Sequence, residues 1–472
     1  MSWRPERMWM LCLIPWTALL ALPPGVARAA PAAPLDLEAQ IGDGAVSLAW
    51  RDGASAPRSV SYLVEVTPPQ PEAQVSVVGT RALVRGLTNG TAYTLSVIAQ
   101  SSAGSSEAAS VKATPVAVNL QSEAPVVIEG DPASASGIFD ASVVRVTQDE
   151  TWLAYSGVDY YEFVGVLVQD VATQLAHSTD GGRTFKHVRT LGAPRAATIT
   201  DELGLACPKD DEDAKGGKCS GRWVYETPAL VEDPADPDPA ARWKVFAHKY
   251  FLYPPKAGQA TVYALGAIVM WTAGAPDGPW SPETSVLGWN LTPRELRPKH
   301  NVNTLHPELS KCLAIAEGGV AAGENGLDLV FACTEPAESE PFPQKIVMLR
   351  SRDHARSFEY VATLLRAQDA AILKASHFTA PSLLPSAGGG QVLVATPAVK
   401  TLYAGCVVIP FADPRTGQLF RDAKGIPLGL LGVKPLPGHA GGACAADKSL
   451  DTLLMNDLDR ASEKPFRLLR RQ

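Results

Sequence analysis

The sequence predicts an all-β protein, a small β-sandwich followed by a five-bladed β-propeller. Short alternating strands fill residues 31–116, with turn signals between them. Beyond residue 137, five related segments recur, each with a small or Pro residue, a short apolar run and an apolar-aromatic strand. Two turns are near copies of each other: STDGGRTF at Ser178–Phe185 and SRDHARSF at Ser351–Phe358 both fit S-x-D-x-x-R-[TS]-F. Internal repetition of this kind marks propellers and other repeat architectures.

The chain opens on a predicted signal peptide over residues 1–29. Arg4, Glu6 and Arg7 form a short charged region, Met8 to Leu22 is apolar, and Ala27-Arg28-Ala29 is a cleavage site. The apolar run is too short and Pro-flanked for a membrane span, and no later stretch provides an anchor. Cys12 lies inside the apolar region, which argues against a lipobox. A secreted or periplasmic protein is expected.

The sandwich follows at residues 31–116. Its strands are LDLEAQ, AVSLAW, SYLVEVTP, RALVRGL, YTLSVIAQ and ASVKATP, with Trp50 where a core tryptophan belongs. The stretch LTNGTAY, ending at Tyr93, resembles a tyrosine corner. The module as a whole resembles a fibronectin type III domain. That resemblance implies spacing or docking rather than chemistry. Residues 117–137 read as a linker and residues 138–472 as the propeller.

Each propeller unit reads as the two inner strands of a blade. The pairs are FDASVV with TWLAYSG, YETPALV with RWKVFAHKY, LHPELS with LDLVFACTEP, TAPSLLP with QVLVATP, and HAGGACA with TLLMND. AIVMWTAGAPDGPW supplies outer strands, and FRLLRRQ a closing one. Both S-x-D turns follow strand-like runs. They resemble the Asp-box of sialidase-like propellers, in which the Asp accepts turn amides and the Phe packs between blades. Asp180 and Asp353 are therefore read as turn residues.

Composition excludes one class of partner. Net charge is −7 with no basic stripe, so nucleic acid is a poor match. Outside the signal, Cys207, Cys219, Cys312, Cys333, Cys406 and Cys444 make an even set, which favours disulfides in a secreted chain. Loop proximity pairs Cys207 with Cys219 and Cys312 with Cys333, leaving Cys406 for Cys444. Zinc lacks a C-x-x-C or His-rich partner pattern. The acidic stretches KDDEDAKGGK and VEDPADPDP keep no EF-hand register and read as solvated loops. No cofactor is expected, although the channel leaves room for a cation such as calcium. A monomer is expected.

Propeller ligands bind where innermost strands converge. Asp140 opens the first unit, Glu226 the second and Glu308 the third, while His377 and His439 precede the fourth and fifth. This arrangement resembles the five-bladed glycoside hydrolases of family 43 and their relatives in families 32 and 68. Asp140 matches the Asp of the first blade, and Glu226-Thr227-Pro228-Ala229-Leu230 matches the E-x-P motif. The departures are Ala141 after Asp140, E-x-P in the second unit rather than the third, no visible middle Asp, and no sialidase arginine triad or F-R-I-P motif. The resemblance implies hydrolysis of a glycan by two carboxylates, with Glu226 as acid and Asp140 as base or nucleophile. Glu308 is a third catalytic candidate. His306, His377, His439, Tyr155 and Trp223 are candidates for substrate contact. Each also has a plainer reading, as strand cap, ion-pair partner or core packing. The alternative function is a non-catalytic propeller that binds a glycan or a protein.

Overall fold

The computed structural model describes residues 29–53, 60–117, 125–131, 134–163, 166–200, 218–253, 265–323, 326–336, 343–385, 391–400, 402–447 and 453–470. The expected signal peptide and Cys207 lie outside the described residues.

The N-terminal domain is a two-sheet sandwich. One sheet runs Leu35–Ile41, Ala45–Arg51, Arg81–Arg85, Gln74–Val78, and the other Ser61–Thr67, Tyr93–Ser101, Gly104–Ala113. Alternation puts Leu48, Trp50, Val84, Tyr93, Leu95 and Val97 into one core. The Thr88 amide donates to the Tyr93 hydroxyl at 3.1 Å, which ties the corner before the last hairpin.

Five blades follow, with innermost strands Gly137–Arg145, Lys218–Glu232, Ala314–Gly323, His377–Pro385 and Ala440–Ala446; the fifth and first join in one sheet where Phe466 pairs with Gly137. The second strands, Thr151–Phe163, Trp243–Leu252, Gly326–Thr334, Gln391–Val399 and Leu453–Leu458, pair antiparallel to them. These second strands are apolar almost throughout because blades cover both their faces; every residue of WKVFAHKYFL is buried. The fifth blade continues with Phe466–Arg470. Its outer edge pairs with chain that precedes the propeller: Pro125 bridges to Leu469, and the Val126 amide donates to Leu468 O at 2.7 Å. Two distant parts of the chain thus close the ring, which removes an exposed edge.

The third blade corrects one expectation. LHPELS is not its innermost strand; Pro307–Leu309 is a short 3₁₀ turn, and AIAEGGVAAG at Ala314–Gly323 is the strand. Pro307 lacks an amide to donate to a ladder and instead starts the turn, with the His306 side chain accepting from the Glu308 amide.

Both S-x-D turns join third to fourth strands and are built alike. Asp180 accepts from the Arg183 and Thr184 amides, each at 2.9 Å, and from the Thr184 hydroxyl. Asp353 accepts from the Ser357 amide at 2.8 Å and from the Ser357 hydroxyl. The second copy reaches the same left-handed turn without glycine, through His354 and Ala355. Phe185 and Phe358 are both buried.

Two disulfides are described. Cys312–Cys333 ties the start of the third blade to its second strand, and Cys406–Cys444 joins the fourth blade to the fifth. Cys219 is disulfide-bonded as well. The sandwich does not hang free: Ala45 and Leu83 share a core with Leu384, Val408, Leu430 and Leu431, and the Asp43 amide donates to Leu430 O at 3.0 Å.

Candidate functional site

All five innermost strands break their ladder at the same place. Asp140, Thr227, Glu317, Ala380 and Ala443 have φ between 40° and 52°, a left-handed backbone that side chains other than glycine rarely adopt. Each sits in a bulge against its second strand. Strain of about 1 kcal/mol or more per residue persists only where surroundings over-determine it. Here the surroundings are the neighbouring blade. The Thr227 amide donates to Ser156 Oγ at 3.0 Å, the Ala443 amide to Thr396 Oγ1 at 2.7 Å, and the Asp140 amide to Asn456 Oδ1 at 3.0 Å. Ser156, Thr396 and Asn456 occupy equivalent positions on their own second strands. Ala332 holds that position in the third blade and has nothing to accept with. There Glu317 itself takes the Ala380 amide, at 3.0 Å.

The bulges turn carboxylates toward the axis. A cavity of about 30 Å³ is lined by Asp140, Ser142, Thr227, Glu317, Ala380 and Ala443 among others. Thr227 Oγ1 is buried there with no hydrogen-bond partner. A volume of that size holds a few waters, not a sugar ring. Asp140 is 7% exposed and receives Ser156 Oγ at 3.3 Å and Asn456 Nδ2 at 3.1 Å. Burial raises its carboxyl well above the usual range, the charges of Glu226 and Glu317 add to that, and the two hydrogen bonds oppose it. Burial also raises Glu226, to about 7; a Tyr250 hydrogen bond opposes the shift and the Glu317 charge adds to it. Glu317 accepts from the Thr379 and Tyr403 hydroxyls as well as from the Ala380 amide.

Among the expected site residues, Asp140 and Glu226 come together and Glu308 does not. Glu308 lies on the 3₁₀ turn, 2.9 Å from Arg366, whose guanidinium holds its carboxyl below the ordinary range. The third carboxylate is Glu317, which the sequence reading missed. Glu317 follows the apolar run Leu313–Ala316, the signal that could have found it; Gly318 and Gly319 after it interrupt the strand pattern.

The other candidates divide. His377 begins the fourth innermost strand, buried, with its imidazole pKa lowered by burial and raised in part by Glu317. His306 stacks on Tyr360 at 4.2 Å, away from the axis. His439 pairs with Asp457 at 2.9 Å beside Arg467. Tyr155 is fully buried in the first blade, and burial raises its phenol. Trp223 packs edge-on to Phe251 at 5.2 Å under the Lys249 ammonium. None of these candidates, His377 included, lines the cavity.

The acidic stretch VEDPADPDP is not the solvated loop expected. Asp233 and Asp236 are buried, and with His354 they form a cluster of metal-ligating type. Lys244 Nζ already fills it, 3.0 Å from Asp233 and 2.8 Å from Asp236. A buried ammonium there leaves no place for a cation, and His354 from an S-x-D turn links blade three to blade two. All of KDDEDAKGGK but its last residue, Lys218, lies outside the described residues.

Fold and site together define a five-bladed β-propeller with carboxyl groups on three of its innermost strands, carried behind a sandwich domain. That sandwich is a fibronectin type III domain: residues 32–115 match the family of that description. No curated protein matches the chain. Among solved structures, the chain is similar to a bifunctional family 43 glycoside hydrolase from Bacteroides eggerthii, at 11% identity and TM-score 0.38, over 74% of this chain and 34% of that one. The chain thus spans about a third of that protein. It is also similar to a family 43 endo-arabinanase from Bacillus licheniformis, at 11% identity and TM-score 0.37, over 73% of this chain and 95% of that one. A third is a mutant of Trypanosoma rangeli sialidase displaying trans-sialidase activity, at 11% identity and TM-score 0.35, over 75% of this chain and 57% of that one. Likeness this slight assigns no chemistry, which rests on the side chains themselves.

Proposed function

We propose that the protein is a glycoside hydrolase of an oxidising compartment, secreted or periplasmic, and that Asp140 and Glu226 carry its chemistry with Glu317 beside them. The observation behind this reading is the gathering of three carboxyl groups from consecutive blades: Asp140 and Glu317 line one cavity, and Glu226, raised to about 7, lies close enough to feel the charge of Glu317. Such a group is still protonated in good part at neutral pH, as a general acid must be. Asp140 and Glu226 repel each other and hold one proton between them. Glu226 is the less buried and donates to the leaving oxygen; Asp140, whose anion is supported by Ser156 and Asn456, activates water or attacks the anomeric carbon. Disulfides Cys312–Cys333 and Cys406–Cys444 support the compartment. Among the described residues, no helix is long and apolar enough to cross a membrane.

The small cavity favours a second reading, a propeller that binds a glycan or a protein without cleaving it. One experiment separates the two. Aryl glycosides and plant and bacterial polysaccharides are screened with wild type, Asp140→Asn and Glu226→Gln. Hydrolysis predicts turnover that each substitution lowers by at least about 10²-fold, with the fold intact. Unchanged rates in both variants end the two-carboxylate mechanism. Glycan binding without turnover moves the assignment to the second reading.

A further inference from the structure

One residue in contact with the acids comes from a turn and not from an innermost strand. Tyr403 stands on the short turn after the second strand of blade four, where Leu402–Tyr403 folds back on Ala398–Val399. Its hydroxyl donates to Glu317 Oε1 in blade three. Its ring stacks on Phe139 of blade one at 6.2 Å, and Phe139 meets Phe466 edge-on at 5.3 Å. A residue of blade four that touches blades three and one spans the axis. The turn is firmly held. The Ala404 amide donates to Pro397 O, the Gly405 amide to Gly441 O of blade five, and Cys406 follows with its disulfide to Cys444. Gly442 leaves room for the ring, since a Cβ there would lie 3.0 Å from Tyr403 Cβ.

Glu317 is thereby saturated. Oε1 takes the Tyr403 hydroxyl, and Oε2 takes the Thr379 hydroxyl and the Ala380 amide. Three partners on two oxygens hold the Glu317 side chain in one orientation. Burial and the charges of Glu317, Asp140 and Glu226 raise the Tyr403 phenol well above its ordinary value, so it remains a donor.

We propose that Tyr403 is a positioning residue of this site: it clamps the Glu317 side chain in place beside Asp140 and Glu226 and covers the channel. The inference rests on the hydrolase reading for its meaning but not for its test. The groups that face Glu317 are Asp140 from blade one, Glu226 from blade two, His377 from blade four and Tyr403 itself. Tyr250 faces Glu226.

Infrared titration of the carboxyl groups tests the clamp in the full chain without any sugar. Wild type, Tyr403→Phe and Tyr403→Ala are compared, with Glu317→Gln to assign the Glu317 band. Loss of the hydroxyl frees the Glu317 side chain to turn away, which weakens its repulsion of Glu226 and moves the Glu226 titration down by on the order of one pH unit. Phe preserves the stack on Phe139, so that variant keeps its fold. Coupling of glycinamide to Asp140 and Glu226 by carbodiimide, read by mass spectrometry, should rise several-fold in Tyr403→Ala and stay near wild type in Tyr403→Phe. Titrations unchanged in Tyr403→Phe, with an intact near-ultraviolet spectrum, overturn the clamp; equal labelling in all three proteins overturns the cover. Absence of turnover on every glycan sinks the hydrolase reading alone, and the titrations still decide Tyr403.

Discussion

Burying acids together leaves a pH signature in stability. Glu226 titrates near 7 when folded and near 4.5 when unfolded. Between those values the folded chain holds a proton that the unfolded chain has released, so stability falls as pH rises through the window. Below about 4.5 both states are protonated and the penalty vanishes. Glu226→Gln removes the titration and should stabilise the protein by on the order of 1–3 kcal/mol at pH 8 relative to wild type, with the difference closing toward pH 4. Denaturant melts across that range check it; a constant difference between the two proteins contradicts the buried, raised carboxyl. At this scale the sequence disclosed Asp140 and Glu226 because apolar strands follow both directly. It pointed to Glu308 in place of Glu317 because H-P-E-L imitates the Pro and apolar neighbours of a strand start. Tyr403 was illegible, since its role depends on a turn that swings it over another blade's carboxylate.

Strands and turns were the most readable features. Alternation and buried apolar runs located four of the five innermost strands, and the S-x-D pattern located both turns. The second turn needed no glycine because Asp353 and Ser351 hold it: Ser351 Oγ accepts the Ala355 amide at 2.7 Å, as Ser178 Oγ accepts Gly182 at 2.8 Å. Hydrogen bonds from turn donors lower the Asp180 carboxyl below its ordinary value. Asp180→Ala should therefore lower stability by about 2 kcal/mol at neutral pH. A group whose pKa is depressed by folding contributes above its unfolded pKa and loses that contribution as pH falls, so the deficit should shrink below about pH 4. Thermal melts at pH 7 and pH 3 distinguish this from simple loss of packing. The bulge residues make a second prediction. Ala443 holds a left-handed conformation that glycine adopts freely, and Ala443→Gly should raise stability by about 0.5–1 kcal/mol. A loss on chemical denaturation would mean that the methyl group packs for more than the backbone strain costs.

The whole molecule joins its parts more tightly than a spacer-and-blade plan implies. Ala45 and Leu83 of the fibronectin type III domain complete a core built from blade four, and chain that precedes the propeller lines the edge of blade five. Calorimetry of the full chain should show one cooperative transition for both domains; two well-separated transitions would mean that the shared core contributes little. This docking was not legible beforehand, because Ala45 and Leu83 obey the same alternation as residues facing the sandwich's own core.

The channel also breaks the symmetry that builds it. Five blades present five equivalent seats: Asp140 and Glu317 fill those of blades one and three, Thr227 that of blade two with Glu226 just before it, and Ala380 and Ala443 those of blades four and five. A guest lying over the mouth would meet carboxyl groups along one arc and methyls along the other. A frame that repeats five times therefore gives a guest one orientation instead of five. Its polar edge is drawn to the acidic arc and its plainer edge to the opposite side, before any bond is strained or broken.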